Sequence, residues 1–110
     1  MSLSIKPYII FMLALASTGC AEKAPEKVEP TNGELVFMGT CRVCHAQGTN
    51  GAPIYGNKKM WGKRITQGVP TLIEHAKQGY GLMPAKGGNT ELSDQDIADA
   101  VRYMVAAVQD

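Results

Sequence analysis

The sequence predicts a small all-α domain of three to five short helices, and three observations carry that prediction. Three segments have helical patterning: "NGELVFMGT" (32–40), "PTLIEHAKQG" (70–79) and "LSDQDIADAVRYMVAAVQD" (92–110). The flanks of the paired cysteines in "TCRVCHAQG" (40–48) offer no strands. Twelve glycines point to tight loops around something, not to long regular elements.

The chain has 110 residues, enough for one small domain. Hydrophobic residues make up 45%, but only one Trp, four Tyr and two Phe are aromatic. A domain of this size buries a low fraction of its surface and usually needs a staple: disulfides, a metal or a cofactor. Net charge is +1. That balance excludes a nucleic-acid-binding surface as the main business of the chain.

The first segment, "MSLSIKPYIIFMLALASTGC", has one positive charge, Lys6, before an apolar run from Tyr8 to Ala16. The run is too short to span a membrane, which takes about 20 apolar residues. It fits the apolar region of a secretory signal, so residues 1–19 are expected to be removed on export to the bacterial periplasm. "STGC" (17–20) resembles a lipobox, in which the cysteine is acylated; Ser17 stands where that pattern usually has Leu. "ALA" (14–16) would suit an ordinary signal peptidase. The lipoprotein reading is preferred because Cys20 would otherwise be an unpaired thiol in an oxidising compartment. Residues 20–30 then form a flexible tether: "AEKAPEKVEP" alternates charge with Ala and Pro and cannot build a core. Residues 31–110 form the domain.

In the lead-in helix, Leu35, Val36 and Met38 or Gly39 mark an apolar face. Phe37, four residues before Cys41, is expected to share its side of the helix and pack on the C-terminal helix.

Three chemistries compete for Cys41, Cys44 and His45. A redox CxxC needs a βαβ context, which is missing. A structural zinc site needs four ligands, and only His75 and Cys20 remain to complete one. The third is covalent attachment of haem c, for which CxxCH is the signature. The spacing puts Cys41 and Cys44 about one helical turn apart, so both sulfurs reach neighbouring vinyl groups. His45 then turns its imidazole toward the iron. An export signal agrees, since c-type haem is attached outside the cytoplasm.

The opposite axial position falls to a methionine. Met104 lies on the apolar stripe Ile97, Val101, Met104, Val108 and reads as core. Met38 is too close to Cys41, and Met60 is a weak runner-up. Met83 sits in "GYGLMPAKGG" (79–88), a polar glycine-rich loop with no core to fill, stiffened by Pro84. His75, on the helix over 70–79, is expected to be exposed or lightly packed; bis-His ligation is the alternative to Met83. Tyr80 either lines the methionine loop or simply packs.

Taken in order, "CRVCH", "GAPIYG", "MWGKR", "MPAKGG" and "LSDQDIADAVRYM" resemble the class I bacterial c-type cytochromes, closest to the cytochrome c5 family, over residues 31–108. The extra cysteine pair common in cytochrome c5 is absent. The resemblance implies the small cytochrome c fold, with one haem in a cleft and axial ligation by His45 and Met83. It also implies that the Pro53 carbonyl holds His45, and that Trp61 and Arg64 donate to the haem propionates, which need such donors.

The C-terminal helix starts at Ser93 as N-cap, with Asp94 and Asp96 at the positive end of the dipole. "KKMWGKR" (58–64) places four positive charges around one aromatic. It reads as a solvated loop or as a docking surface for an acidic redox partner.

The function expected is single-electron transfer between periplasmic or membrane redox partners. No paired carboxylates, nucleophile–base pair or phosphate loop points to independent catalysis. The alternatives are a haem subunit of a larger oxidoreductase, or a ligand-binding or peroxidase-type haem protein whose methionine leaves.

Overall fold

The computed structural model describes residues 19–20, 24 and 27–109. The expectations of a signal segment and of a tether fall mostly on residues outside these, 1–18, 21–23 and 25–26.

The domain begins with α1 (Asn32–Val36), which passes through a π-helical turn (Phe37–Cys41) into α2 (Arg42–His45). Thr31 caps α1, its side chain accepting from the Glu34 amide. The Arg42 amide donates to the Phe37 carbonyl, five residues back. This wider turn resets the phase of the helix just before the cysteines. A short 3-10 turn (Thr49–Gly51) leads to α3 (Lys58–Ile65) and then α4 (Val69–Gln78). A second 3-10 turn (Ala85–Gly88) precedes α5 (Asp94–Ala106). Among the described residues, the only β pairing is an isolated bridge, Tyr80 with Met83. No described helix is long and apolar enough to cross a membrane.

α1 lies across α5, and Gly33 sets how close they come. A Cβ at Gly33 would stand 2.3 Å from the Asp99 carbonyl oxygen. Asn32 locks the crossing, its Nδ2 donating to Asp96 Oδ1 at 3.1 Å and Asp99 Oδ2 at 2.9 Å. The buried face is therefore Gly33, Val36 and Phe37, whereas Leu35 and Met38 point outward. Val36 is buried as expected, but Leu35, Met38 and Gly39 are not: the close crossing selects the Gly33 side of the helix.

Phe37 packs on α5 as expected, its ring 5.5 Å from Tyr103 and 4.8 Å from Tyr55. The two tyrosines stack at 5.2 Å. The Tyr103 phenol is pushed up to about 12, first by its hydrogen bond to Tyr55 and then by burial. The core continues along α5 through Ile97, Val101, Met104 and Val105 to Val108 just beyond it, closed by Trp61 and Ala76.

Two readings change. "KKMWGKR" is a helix, not a loop: the Asn57 side chain accepts from the Met60 amide and caps α3. The methionine loop is also less open than its composition suggests. Tyr80 and Met83 exchange backbone hydrogen bonds of 3.0 and 2.9 Å.

Candidate functional site

His45 closes α2 and is only 6% exposed. The chain turns back over it: the Tyr55 amide donates to the His45 carbonyl at 2.8 Å. The same turn brings the Pro53 carbonyl oxygen 2.8 Å from His45 Nδ1. A carbonyl only accepts, so Nδ1 carries a proton, and in the neutral ring Nε2 is the nitrogen with the lone pair. The Trp61 ring lies 6.2 Å from the imidazole, at 27° to it.

His45 is one wall of a cavity of about 850 Å³. Cys41, Cys44, Pro53, Trp61, Arg64 and Met83 line the same cavity. Residues that stand up to 42 positions apart in the chain, Cys41 and Met83, thus meet one space. Leu72, Ala76, Val101 and Met104 make its floor apolar. Cys20 is exposed.

Neither Cys41 nor Cys44 is bridged, and both are half-buried. Burial pushes the Cys41 thiol above its ordinary value. A redox-active dithiol needs the opposite, a thiol lowered toward neutrality. Among the described residues, no group of three or more His, Cys, Asp or Glu side chains could hold a metal ion. Burial of Cys41 thus does not favour a disulfide switch, and no complete zinc ligand set stands among the described residues.

The cavity fits a haem. Its lining is mostly apolar, as a porphyrin requires. The donor set is also right: two unbridged thiols, an imidazole with a free lone pair, and a thioether.

Met83 is presented by a constrained loop. Gly79 leaves α4 at φ +87, and a Cβ there would stand 3.2 Å from the Met83 carbonyl oxygen. At the far end of the loop, Asn89 Nδ2 donates to Thr40 Oγ1 at 3.2 Å, tying it to the residue before Cys41. Lys86 reaches the Leu92 carbonyl at 2.7 Å and Asp94 at 3.6 Å. Asp94 also meets Lys77 of α4 at 3.1 Å.

The Trp61 indole N–H donates to the Ile54 carbonyl at 2.9 Å, on the turn that carries Pro53, and the Trp61 ring stands beside His45. Arg64 donates one N–H to the Met60 carbonyl of its own helix. Its fork has further donors, and it stays on the cavity wall. Gln67, Leu72 and Leu82 also line the cavity without having been assigned to it from sequence, and so do His75, weighed only as an alternative ligand, and Tyr80, weighed as part of the methionine loop. Their common signal is weak: each lies within a few residues of Arg64, Ala76 or Met83.

Comparison with known proteins agrees with this geometry. The family model described as cytochrome c oxidase, cbb3-type, subunit III, matches residues 28–104. Cytochrome c-555 of Prosthecochloris aestuarii is 42% identical over 91 residues, covering 76% of this chain and 92% of that protein. Cytochrome c5 of Ectopseudomonas mendocina is 32% identical over 66 residues, covering 58% of this chain and 76% of that protein. Among solved structures, a chain from an electron transfer complex of nitrite reductase with cytochrome c superposes with a TM-score of 0.69. It is 33% identical and covers 74% of this chain and all of that one. With its helices, its CxxCH cavity wall and these relatives, the chain belongs to the class I c-type cytochromes.

Proposed function

We propose that this chain is a monohaem electron carrier in which Cys41 and Cys44 hold haem c through thioethers and His45 and Met83 ligate the iron. The observation that carries this is the single cavity onto which those four side chains converge. The bound group supplies a one-electron iron couple. The chain's own residues set its conditions. The Pro53 carbonyl fixes the His45 tautomer and ring plane. The apolar walls from α4 and α5 exclude water, and a thioether ligand favours the reduced iron and raises the potential. Arg64 supplies guanidinium donors for a propionate. The relatives, cytochromes c by name and in one case solved in an electron transfer complex, support a carrier over an enzyme.

The test is Met83→Ala. The variant keeps its covalent pigment, loses the weak red-edge absorption that reports the iron–sulfur bond, and falls in potential. A variant with unchanged spectrum and potential would show that Met83 is not the ligand.

Partners are redox proteins. The solved relative in complex with nitrite reductase supports that class of partner. Lys58, Lys59 and Lys63 are exposed on α3, beside Arg64, and suit an acidic docking face. A second reading, a haem subunit of a larger oxidoreductase, is favoured by the subunit description of the matching family model; co-purification with a membrane complex would select it.

In this proposal residues 1–19 direct export to the periplasm, Cys20 carries a lipid anchor, residues 20–30 are the tether and 31–110 the haem domain. Cys20→Ala should release the protein from membranes, and persistent membrane association would argue against acylation.

A further inference from the structure

His75 is absorbed by none of the roles above, yet it lines the cavity. Its ring stacks on Tyr80 with centroids 4.0 Å apart and planes 11° from parallel. Tyr80 is otherwise 60% exposed. An exposed aromatic ring in a glycine-rich loop has little else to hold it in one place.

What Tyr80 holds in turn is Met83. The Tyr80 amide donates to the Met83 carbonyl at 3.0 Å, and the Met83 amide donates to the Tyr80 carbonyl at 2.9 Å. Gly81, at φ +58, lets the two-residue turn close. The Tyr80 and Met83 backbones are therefore tied together, and a contact that holds Tyr80 bears on Met83. His75 belongs to the last turn of α4, a helix fixed to the core through Ala76 and clipped to α5 through Lys77 and Asp94. The stack is thus a strut from a rigid helix to the hairpin that presents the thioether.

We infer that His75 is a positioning residue: through its stack on Tyr80 it keeps the Met83 hairpin closed over the cavity and so limits access of outside ligands to the iron. The inference rests on Met83 being the axial ligand. A hairpin that swings out carries its backbone-paired methionine with it, since the Tyr80–Met83 bonds move as a unit. The chemistry of the strut is ring on ring, so a flat apolar ring at position 75 should do the same work as imidazole.

The test uses the holoprotein and imidazole as the outside ligand, titrated into the ferric form and followed by the loss of the iron–sulfur band. Losing one aromatic stack should raise the Met-off population, and with it imidazole affinity, by roughly three- to tenfold in His75→Ala. His75→Phe should return it to within about twofold of the parent. Tyr80→Ala should match His75→Ala, and the double variant should be no worse than either, because one contact is being removed twice. A general loss of packing would lower unfolding stability without this pattern of rescue and non-additivity. Imidazole affinity unchanged in both single variants, or additive effects in the double variant, would overturn the strut. Met83→Ala separates the two claims. If it opens the iron while His75→Ala does not, the strut fails and the ligand stands. If Met83→Ala leaves imidazole affinity unchanged, the ligand assignment fails and the strut falls with it.

Discussion

At residue scale, Gly33 decides whether α1 and α5 can cross at all. A Cβ there would meet the Asp99 carbonyl oxygen at 2.3 Å and the Tyr103 Cβ at 3.0 Å. The first obstacle is backbone, which cannot rotate away. In an open helix, Gly→Ala would gain about 1 kcal/mol from propensity. Overpacking a close crossing costs about 1–3 kcal/mol. The clash should win, so Gly33→Ala should destabilise the holoprotein in urea unfolding; a rise in midpoint would show that the crossing yields. The sequence offered no hint of this. Gly33 carries no local signal of this, because its partner, Asp99, lies 66 positions away. His45 and Cys41 were the contrary case, since their chemistry is written in spacing along a single helical turn.

At the scale of elements, α5 was the most legible. Its N-cap, acidic first turn and apolar stripe are all local signals, and the structure completes them as a capping box between Ser93 and Asp96. α3 was the least legible. Its apolar residues are few and Gly62 interrupts it, so charge dominated the reading; Asn57 as N-cap, with Trp61 and Ile65 four apart, was the signal available. The π-helical turn had no local signature.

The junction of α1 and α5 is also where acid should act. Asp96 is held below its ordinary value first by the Ser93 amide and then by Asn32, and Asp99 first by Asn32 and then by Gln95. Asp94 is lowered first by Lys77. A carboxylate whose folded value is depressed contributes stability above its unfolded value, 3.8 here, and loses it as pH falls through the lowered folded value. Thermal stability should therefore drop as the pH is taken from about 5 to about 3. Asp96→Asn should flatten that dependence; an equally steep loss would place the acid sensitivity elsewhere. Ser93→Ala should cost about 1 kcal/mol at neutral pH, read from urea unfolding.

At the scale of the whole molecule, the helices enclose a cavity and share one thin core. The aromatic group Phe37, Tyr55 and Tyr103 lies to one side, and the walls from α4 and α5 face the cavity. Such a scaffold depends on its occupant. A chain in which Cys41 and Cys44 are both replaced by Ser, and which matures without pigment, should lose much of its helical circular dichroism and its cooperative unfolding. Full helicity in that colourless protein would mean the core stands alone.

The sequence by itself determined the chemistry: the CxxCH spacing, the glycine-rich methionine loop and the capped C-terminal helix are local, and each can be read within one or two helical turns. Tertiary structure decided what those pieces face. It turned the Trp61 donor to Ile54, selected Gly33 over Leu35 as the buried side of α1, and set His75 against Tyr80 beside the cavity. These outcomes depend on which surfaces meet when helices pack around a common space, and periodicity along one chain carries no record of the partner across the gap.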